Sequence, residues 1–230
     1  MLNSENYLSQ EQRTDKWYRD RAGKFTGSRF VDVLSKKPDG QYLKAYDDLI
    51  RQLVVERVTD DYIDTGIDSH AMKWGREVEP FAREAYELET GLLVTLASFI
   101  KHPTLSFVGV SPDGLVGADG GTEFKCPKDP GIHLDRFPNG MNEGEFMPQV
   151  QGCIWVCQRE WWDWISYDPR MPEHLRFYRQ RVYRNDIYIK NLEREVLIAE
   201  GKVRELVDQY KPEIIEQILA KRLEKQGAAA

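Results

Sequence analysis

Two carboxylates and one amine lie close together in the segment SPDGLVGADGGTEFK. Glu123 and Lys125 are two positions apart on a predicted strand, and because side chains alternate along a strand, both point to the same face. A hairpin through the Gly-rich turn GADGG would bring Asp113, ten residues earlier, back beside Glu123. The spacing therefore predicts a small patch that holds Asp113, Glu123 and Lys125.

Neighbouring carboxylates of this kind suggest a metal site. They repel each other, which raises the pKa of one of them unless a cation lies between them. Hard oxygen ligands suit Mg²⁺ or Mn²⁺ better than zinc. Lys125 would then lie beside the attacking water, where it orients the water, helps to deprotonate it or stabilises charge in the transition state. This arrangement suits phosphodiester hydrolysis, but the short Glu-x-Lys pattern alone is more typical of an exposed hairpin with a surface ion pair. The preceding Pro-Asp and the strand–turn–strand setting make the two interpretations about equal.

The composition is that of a protein that can fold around such a cluster. The chain has 230 residues, of which 41% are apolar and 30% charged, as in an ordinary globular protein. No apolar stretch is as long as a membrane span and the N-terminus lacks the apolar core of a secretory signal, so we expect a cytoplasmic protein. The net charge of −6 is unlike that of most nucleic-acid-binding domains, which are basic, but it is compatible with a metal-binding carboxylate cluster.

The three cysteines, Cys126, Cys153 and Cys157, form no recognisable disulfide or zinc pattern. Their odd number and the absence of a secretory signal argue against a disulfide framework. Zinc would require more ligands at tighter spacing, and the four histidines are scattered along the chain. We therefore expect buried free thiols.

Helical periodicity predicts N-terminal helices over 9–60. Ser9, with a glutamine three residues later, has the spacing of a capping box that opens the first helix, and Gly23 is expected to end it. Thr26 or Ser28 would cap a second, short helix.

Residues 70–184 then form the expected core of the domain. A helix is predicted over 76–90, with Pro80 either in its first turn or kinking it, and Gly91 at its end. Its buried face is predicted to hold Val78, Phe81, Ala82, Ala85 and Leu88. Residues 92–126 contain short β-rich segments separated by turns, which are typical of an antiparallel sheet.

The remaining segments complete an α+β pattern. GEFMPQVQGCIWVC returns to helical spacing, and EWWDWISYD and LRFYRQRVYR are predicted strands. C-terminal helices are expected over 185–225, with a break at Pro212. We therefore predict a single α+β domain over 1–230, with a central mixed β-sheet flanked by helices.

Six short motifs in this chain resemble those of one family. SPDG, followed by EFK, resembles the PD-(D/E)xK nuclease motif, which implies a restriction-endonuclease-like nuclease core. WYRDRAGKFTGS, WGREVE, FKCP, QVQ and YDPRM follow the order and spacing seen in the lambda exonuclease family, the phage alkaline exonucleases and YqaJ-like viral recombinases. The resemblance spans residues 13–210, and the ordered set is far more specific than any single motif.

For the carboxylate patch, the resemblance implies a metal centre. Asp113 and Glu123 would be metal ligands, the carbonyl of Phe124 would add a third, and Lys125 would act on the attacking water. Two Mg²⁺ ions are implied, with Mn²⁺ as a substitute.

The resemblance also assigns roles to residues outside the hairpin. Glu79 corresponds to a helical carboxylate near the metals, although an acid in the first turn of a helix is also favoured by the helix dipole. Gln151 corresponds to the motif glutamine, with Gln149 beside it; the alternative is that both are surface amides.

A third group of residues corresponds to the family's contacts with the DNA end. Arg21 and Ser28 correspond to residues that hold the 5′-phosphate, and Met72 to an apolar wedge that helps to split the terminal base pair. The family has a further phosphate-binding arginine, where this chain has Lys36 and Lys37. The alternatives are a solvated arginine, a helix-capping serine and a core methionine.

These correspondences imply a Mg²⁺-dependent exonuclease that digests one strand of double-stranded DNA from 5′ to 3′, leaving a 3′ single strand and releasing mononucleotides. They also imply a ring-shaped homotrimer, a single-strand annealing protein as partner, no membrane association, and a phage or prophage gene expressed in the bacterial cytoplasm. Two alternatives remain at this point: a restriction-like endonuclease, and a nuclease-fold DNA-binding subunit without activity.

Overall fold

The computed structural model describes residues 12–63, 66 and 68–227, with 222–227 described by their backbone alone. The helices of this part are α1 (Asp15–Arg21), α2 (Phe30–Val33), α3 (Lys44–Thr59), α4 (His70–Thr90), α5 (Pro130–Leu134), α6 (Arg136–Asn139), α7 (Glu143–Cys157), α8 (Asp186–Asp208) and α9 (Pro212–Gly227). The strands are β1 (Phe25–Thr26), β2 (Val94–Thr95), β3 (Ile100–Lys101), β4 (Val108–Val110), β5 (Gly114–Val116), β6 (Gly120–Lys125), β7 (Trp161–Tyr167) and β8 (Phe177–Tyr183). The predicted α+β class is confirmed.

A mixed sheet of five strands, in the order β2-β5-β6-β7-β8, forms the centre of the fold. Strands β6 and β7 run parallel, and the other neighbours are antiparallel. The predicted hairpin is formed by β5 and β6, with Gly114 opposite Thr122. This register places Asp113, which directly precedes β5, beside Glu123 on β6.

One face of the sheet packs against α7. Trp162 and Trp164 of β7 are buried in the same apolar cluster as Val150 and Ile154 of α7. Glu123 lies opposite Trp164 in the parallel β6–β7 pair, so its side chain projects toward α7 as well. The sheet face that carries the acidic hairpin is therefore the one that α7 covers.

The other face packs against α4. Val78, Ala82 and Tyr86 lie one turn apart on α4 and are buried against Phe124 and Ile165 of the sheet. The buried residues of α4 are spaced four residues apart. Its buried face therefore differs from the predicted one, which also contained residues three apart.

Two predictions about α4 are wrong. The helix begins at His70, not Arg76, because the Ser69 hydroxyl accepts a hydrogen bond from the Met72 backbone N and caps it there. Pro80 consequently lies inside the helix. Phe81 and Leu88, predicted to be buried, are 57% and 81% exposed. Gly91 ends the helix in the left-handed conformation, as predicted.

The N-terminal segment forms a turn between α1 and a short 3-10 helix. Thr14 caps α1 by accepting from the Trp17 backbone N, whereas the predicted cap at Ser9 lies outside the described residues. Gly23 follows α1 with a φ of 66°. Ser28 lies within the 3-10 helix that continues into α2, so it does not cap a helix, and Thr26 takes the N-cap position without a side-chain bond.

A second sheet was not predicted. It contains three strands in the order β1-β4-β3, and β1 pairs parallel with β4. The prediction of one continuous sheet is therefore wrong for residues 92–126, since β3 and β4 belong to this second sheet. Strand β1 has two residues, too few to show the alternation by which strands are recognised.

The C-terminal prediction agrees with the structure. Asn185 caps α8 by accepting from the Tyr188 backbone N, and α9 begins at Pro212. All three cysteines are free, and Cys153 and Cys157 are buried. In the described part of the chain, no helix has both the length and the apolar character needed to cross a membrane.

Candidate active site

The β5–β6 hairpin carries the centre of the candidate site. The Phe124 backbone N donates a hydrogen bond to Asp113 Oδ2 at 2.7 Å, which fixes one carboxylate against the opposite strand. Lys125 Nζ donates to Glu123 Oε1 at 2.7 Å. The structure thus brings Asp113, Glu123 and Lys125 together, as strand alternation and the Gly-rich turn predict.

Side chains from α4 and α7 complete the cleft. Gln149 of α7 donates from Nε2 to Glu123 Oε1 at 2.7 Å and accepts from Lys125 Nζ at 3.3 Å. Glu79 of α4 lines the same cleft of about 250 Å³, and its Oε2 lies 3.8 Å from Arg13 Nη2. The Lys125 ammonium is therefore held between a carboxylate and an amide oxygen.

Three carboxylates, Asp113, Glu123 and Glu79, lie close together in the cleft. Burial raises the pKa of the Asp113 carboxyl well above its usual range, and the nearby Glu123 and Glu79 raise it further. Burial likewise raises the pKa of Glu79, against the opposing effect of Arg13. Burial lowers the pKa of Lys125, but Glu123 and Asp113 outweigh it, so the net shift is upward. Carboxylates in this position favour a bound cation.

The donor set fits a hard divalent ion. Glu123 Oε2 is buried and has no hydrogen-bond partner, so one carboxylate oxygen is left for a cation. Among the described residues no group of three or more His, Cys, Asp or Glu side chains converges as a metal site. Asp113 and Glu123, with the Phe124 carbonyl on the same strand, provide the few protein oxygens with which Mg²⁺ is commonly held, because it keeps several of its waters.

Gln151 lies away from this cluster. It is 1% exposed, its Nε2 donates to the Tyr183 carbonyl at 2.8 Å, and its Oε1 accepts from the Asn185 backbone N at 3.0 Å. The expected contact with the carboxylates is made by Gln149 instead. Gln151 ties α7 to the end of β8 and the start of α8.

A second cavity, of about 380 Å³, brings together Arg21, Ser28 and Met72. Arg21 Nη1 donates to Ser111 Oγ at 2.9 Å, and Nη2 lies 3.5 Å from Thr26 Oγ1. Burial lowers the pKa of Arg21 to about 10, although the nearby carboxylate of Glu56 opposes this shift. In the described part of the chain no carboxylate forms an ion pair with Arg21, so its charge is available to an anionic ligand.

Met72 lies at the boundary between the two cavities. It lines both the carboxylate cleft and the Arg21 cavity, and it is 49% exposed. A methionine at this exposed boundary is not core filler. Its position suits contact with a ligand that extends from one cavity into the other.

Lys36 and Lys37 lie elsewhere. Lys36 Nζ forms an ion pair with Glu195 Oε2 at 2.7 Å and lies 4.6 Å from the centre of the Tyr42 ring. Lys37 Nζ donates to Gln41 Oε1 at 3.3 Å on the surface. Neither lysine lines the cavity of Arg21, so the suggestion that they replace the family's second arginine is not supported by their positions.

The sequence did not reveal two residues that belong with these cavities. Ser111 bonds Arg21, and its hydroxyl also accepts from Trp17 Nε1 at 2.9 Å. The sequence offered one indication that Ser111 belongs to the site, because Ser111 directly precedes Pro112 and Asp113. Lys24 lines the Arg21 cavity, and nothing in its sequence context distinguishes it from a solvated lysine.

Comparisons with known proteins agree with this geometry. The model of the YqaJ-like viral recombinase domain matches residues 16–160. The structure of LHK-Exo in complex with dAMP has a TM-score of 0.81 and 33% identity, over 89% of this chain and 100% of that chain. A second structure of LHK-Exo, described as an alkaline exonuclease from Laribacter hongkongensis, has a TM-score of 0.79 and 33% identity, over 90% of this chain and 99% of that chain.

A more distant likeness concerns the fold alone. A phage-related exonuclease from Haemophilus somnus 129PT has a TM-score of 0.66 and 14% identity, over 82% of this chain and 96% of that chain. No curated protein sequence matches the chain at a significant level. From the family model, the structures of LHK-Exo and the geometry of the hairpin, the chain belongs to the YqaJ-like viral recombinase family and has the nuclease fold of the alkaline exonucleases.

Proposed function

We propose that this protein is a Mg²⁺-dependent exonuclease that digests one strand of linear double-stranded DNA from its 5′ end, leaving a 3′ single strand and releasing mononucleotides. One observation carries the proposal: the cleft of Asp113, Glu123 and Lys125 adjoins the cavity of Arg21, with Met72 lining both. A terminal phosphate at Arg21 would place the next phosphodiester toward the carboxylates. An endonuclease has no need of a separate cavity for a terminal phosphate.

The chain's own residues have distinct tasks in this reaction. When bound, a divalent ion polarises the scissile phosphate and lowers the pKa of the attacking water. Asp113 and Glu123 would hold that ion, and the unpartnered Glu123 Oε2 supports this role. Lys125 Nζ, fixed between Glu123 and Gln149, is placed to orient the attacking water and to offset the charge that develops on the phosphate. The described carboxylates support one ion directly, and the second ion remains part of the proposal.

Recognition of the 5′ end falls to the second cavity. Arg21 is half-buried, bonds hydroxyl groups and lacks a carboxylate partner among the described residues, which suits a phosphate monoester. Ser28 lines the same cavity and offers a hydroxyl. Met72 would act as an apolar wedge that helps to split the terminal base pair, so that one strand enters the cleft.

The proposal includes assembly into a trimeric ring. Phe81 and Leu88 lie seven residues apart on one side of α4 and are 57% and 81% exposed, and Leu93 just beyond the helix is 78% exposed. Apolar side chains exposed together commonly mark a protein interface. A ring would keep a protein with a net charge of −6 on DNA without strong nonspecific attraction.

The proposed setting follows from the family. The protein would be encoded by a phage or prophage, act in the cytoplasm of a bacterial host, and pass its 3′ single strand to a single-strand annealing protein for recombination.

The experiment that tests the function uses a linear duplex with a 5′-phosphate and a separate label on each strand. With Mg²⁺, or with Mn²⁺ in its place, the strand that carries the 5′-phosphate should shorten to mononucleotides while the complementary strand stays intact. EDTA should stop the reaction, and closed circular DNA should remain uncut. Cleavage of the closed circle would favour an endonuclease, and no cleavage of any substrate with either metal would favour a DNA-binding subunit.

A further inference from the structure

The Arg21 cavity contains more positive charge than Arg21 alone. Arg21, Lys24 and Arg29 line it, together with the carboxylate of Glu56. A terminal phosphate carries between one and two negative charges at neutral pH, about −1.5 to −2 for a phosphomonoester. More than one cation is therefore needed to neutralise it.

Arg29 is already engaged within the protein. Its Nε lies 2.6 Å from Asp32 Oδ2, although that contact is not aligned as a hydrogen bond, and its Nη1 donates to Gln52 Oε1 at 2.9 Å. The Asp32 carboxylate offsets the charge of Arg29. This leaves Arg21 and Lys24 as the cations of the cavity that have no ion-pair partner among the described residues.

In the described part of the chain no carboxylate forms an ion pair with Lys24, although Asp20 and Glu56 lie near enough to raise its pKa. Lys24 Nζ donates a hydrogen bond to the Ala22 carbonyl at 3.3 Å. The two nearby carboxylates are engaged with other donors. Asp20 Oδ2 lies 2.5 Å from Lys16 Nζ, and Glu56 Oε2 accepts a hydrogen bond from the Gly23 backbone N at 2.7 Å. Burial lowers the pKa of Lys24, and the nearby Lys101 lowers it further, against the effect of Asp20.

The turn that carries Lys24 is fixed from α3. Gly23, directly before Lys24, donates from its N to Glu56 Oε2 at 2.7 Å, and its carbonyl accepts from Arg57 Nε at 2.8 Å. Arg57 is in turn paired with Glu200 of α8 at 2.6 Å. Because both polar groups of Gly23 are fixed, the backbone of Lys24 has a fixed position at the cavity before any ligand binds.

We propose that Lys24 binds the same terminal phosphate as Arg21 and supplies the second positive charge of the 5′-end site. The inference rests on the proposed function, because it assumes that this cavity receives a 5′-phosphate. Arg21 contributes a planar donor pair and Lys24 a point charge on a flexible stem, so the two approach different oxygens of the phosphate.

The test compares duplexes that carry a 5′-phosphate or a 5′-hydroxyl. Binding is measured by fluorescence anisotropy in EDTA, which prevents cleavage, and cleavage rates are measured separately with Mg²⁺. Lys24→Gln should weaken binding of the phosphorylated end about tenfold, or about 1.4 kcal/mol, and leave the hydroxyl end unchanged. Lys24→Arg, which keeps the charge, should retain most of the preference.

The matched control is Lys44→Gln. Lys44 is an exposed lysine at the start of α3, about 18 Å along the helix from Glu56 at the usual rise per residue. The control should bind both duplexes as the wild type does, since it removes the same charge far from the cavity. Thermal unfolding of each variant checks that the fold is intact.

The outcomes separate the two proposals. If the wild type binds both ends equally, the cavity does not receive a 5′-phosphate and both the end-recognition proposal and the role of Lys24 are overturned. If the wild type prefers the phosphate and Arg21→Ala removes that preference while Lys24→Gln retains it, only the role of Lys24 is overturned. A loss with Lys24→Gln that affects both ends equally also overturns it, because general attraction to DNA does not distinguish the ends.

Discussion

Arg21 Nη1 donates a hydrogen bond to Ser111 Oγ at 2.9 Å, and Ser111 lies two residues before Asp113. The same hydroxyl accepts from Trp17 Nε1 at 2.9 Å. One short loop therefore fixes both the guanidinium of the second cavity and the first carboxylate of the cleft. This connection sets the distance between the proposed sites for the terminal and the scissile phosphates.

Removing that connection should impair the use of phosphorylated ends. Ser111→Ala would release Arg21 and Trp17 from the loop, and hydrogen bonds to charged groups are worth about 1.5–3 kcal/mol. We expect cleavage of a 5′-phosphorylated duplex to slow about tenfold, with a smaller effect on the hydroxyl end. Ser106→Ala, at an exposed serine, is the control. Equal slowing on both ends would show that Ser111 supports the fold and not the end site.

The carboxylate pair should be essential for cleavage but not for binding. Asp113→Asn and Glu123→Gln keep the shape of each side chain and remove the charge that a divalent ion requires. We expect both to abolish measurable digestion of labelled duplex. Because they also reduce repulsion within a crowded acidic cleft, binding of DNA in EDTA should be unchanged or tighter.

Lys125→Ala is a separate test of the same cleft. It should stop digestion without preventing metal binding, which isothermal titration can measure directly. Digestion near the wild-type rate by Asp113→Asn, Glu123→Gln or Lys125→Ala would contradict the assignment of the cleft.

The core of the candidate site could be predicted because it lies on one hairpin. Strand alternation put Glu123 and Lys125 on one face, and the glycines of the turn returned Asp113 to them, so neighbouring residues in sequence determined the geometry. The same kind of local pattern correctly predicted α3, α7, α8, β7 and β8.

The orientation of the QVQ segment could not be predicted. Gln149 and Gln151 are two residues apart on a helix, so they point in directions roughly 200° apart. Helix α7 is buried over much of its circumference and lacks a clear polar face that would indicate which amide meets the carboxylates. The exposure of Phe81 depends on tertiary packing and has no local signal either, whereas Ser69 was a local capping signal for the start of α4 that the prediction did not use.

The two glutamines should respond differently to substitution. Gln149→Ala removes the amide that holds Lys125 and Glu123, so we expect slower cleavage with little change in stability. Gln151→Ala leaves a backbone carbonyl and a backbone N–H unpaired in the interior, which should cost about 1–3 kcal/mol of unfolding free energy. Cleavage rates together with thermal unfolding distinguish the two. A Gln151 variant that is stable but inactive would restore the role suggested by the family motif.

The trimer proposal predicts the mass of the protein in solution and a substitution that should lower it. The chain of 26.8 kDa should behave as a trimer in light scattering. Leu88→Glu places a charge on an apolar side chain that is 81% exposed, so it should shift the mass toward the monomer without unfolding the chain. Glu205→Lys, a charge change on an exposed residue of a different helix, α8, is a control for general electrostatic effects. A wild-type protein that remains monomeric at all concentrations would contradict the ring.

The end site should have a pH dependence set by Lys24. Burial and Lys101 lower the pKa of Lys24 below its ordinary value of 10.5, while Asp20 and Glu56 oppose this shift and Arg57 adds to it. Attraction to the terminal phosphate is therefore complete at pH values below the lowered pKa, where Lys24 is charged. It decreases as the pH rises through the lowered pKa. The phosphate itself does not change, because its second pKa is near 6.

The measurement is the ratio of affinities for phosphorylated and hydroxyl ends, by anisotropy in EDTA, from about pH 7 to about pH 10. We expect the wild-type ratio to fall across the alkaline part of this range and the ratio of Lys24→Arg to stay high, because a guanidinium keeps its proton there. Arg21, whose pKa is lowered to about 10 by burial, is unchanged in Lys24→Arg. If the two proteins lose the preference together, the titrating group is Arg21 and not Lys24.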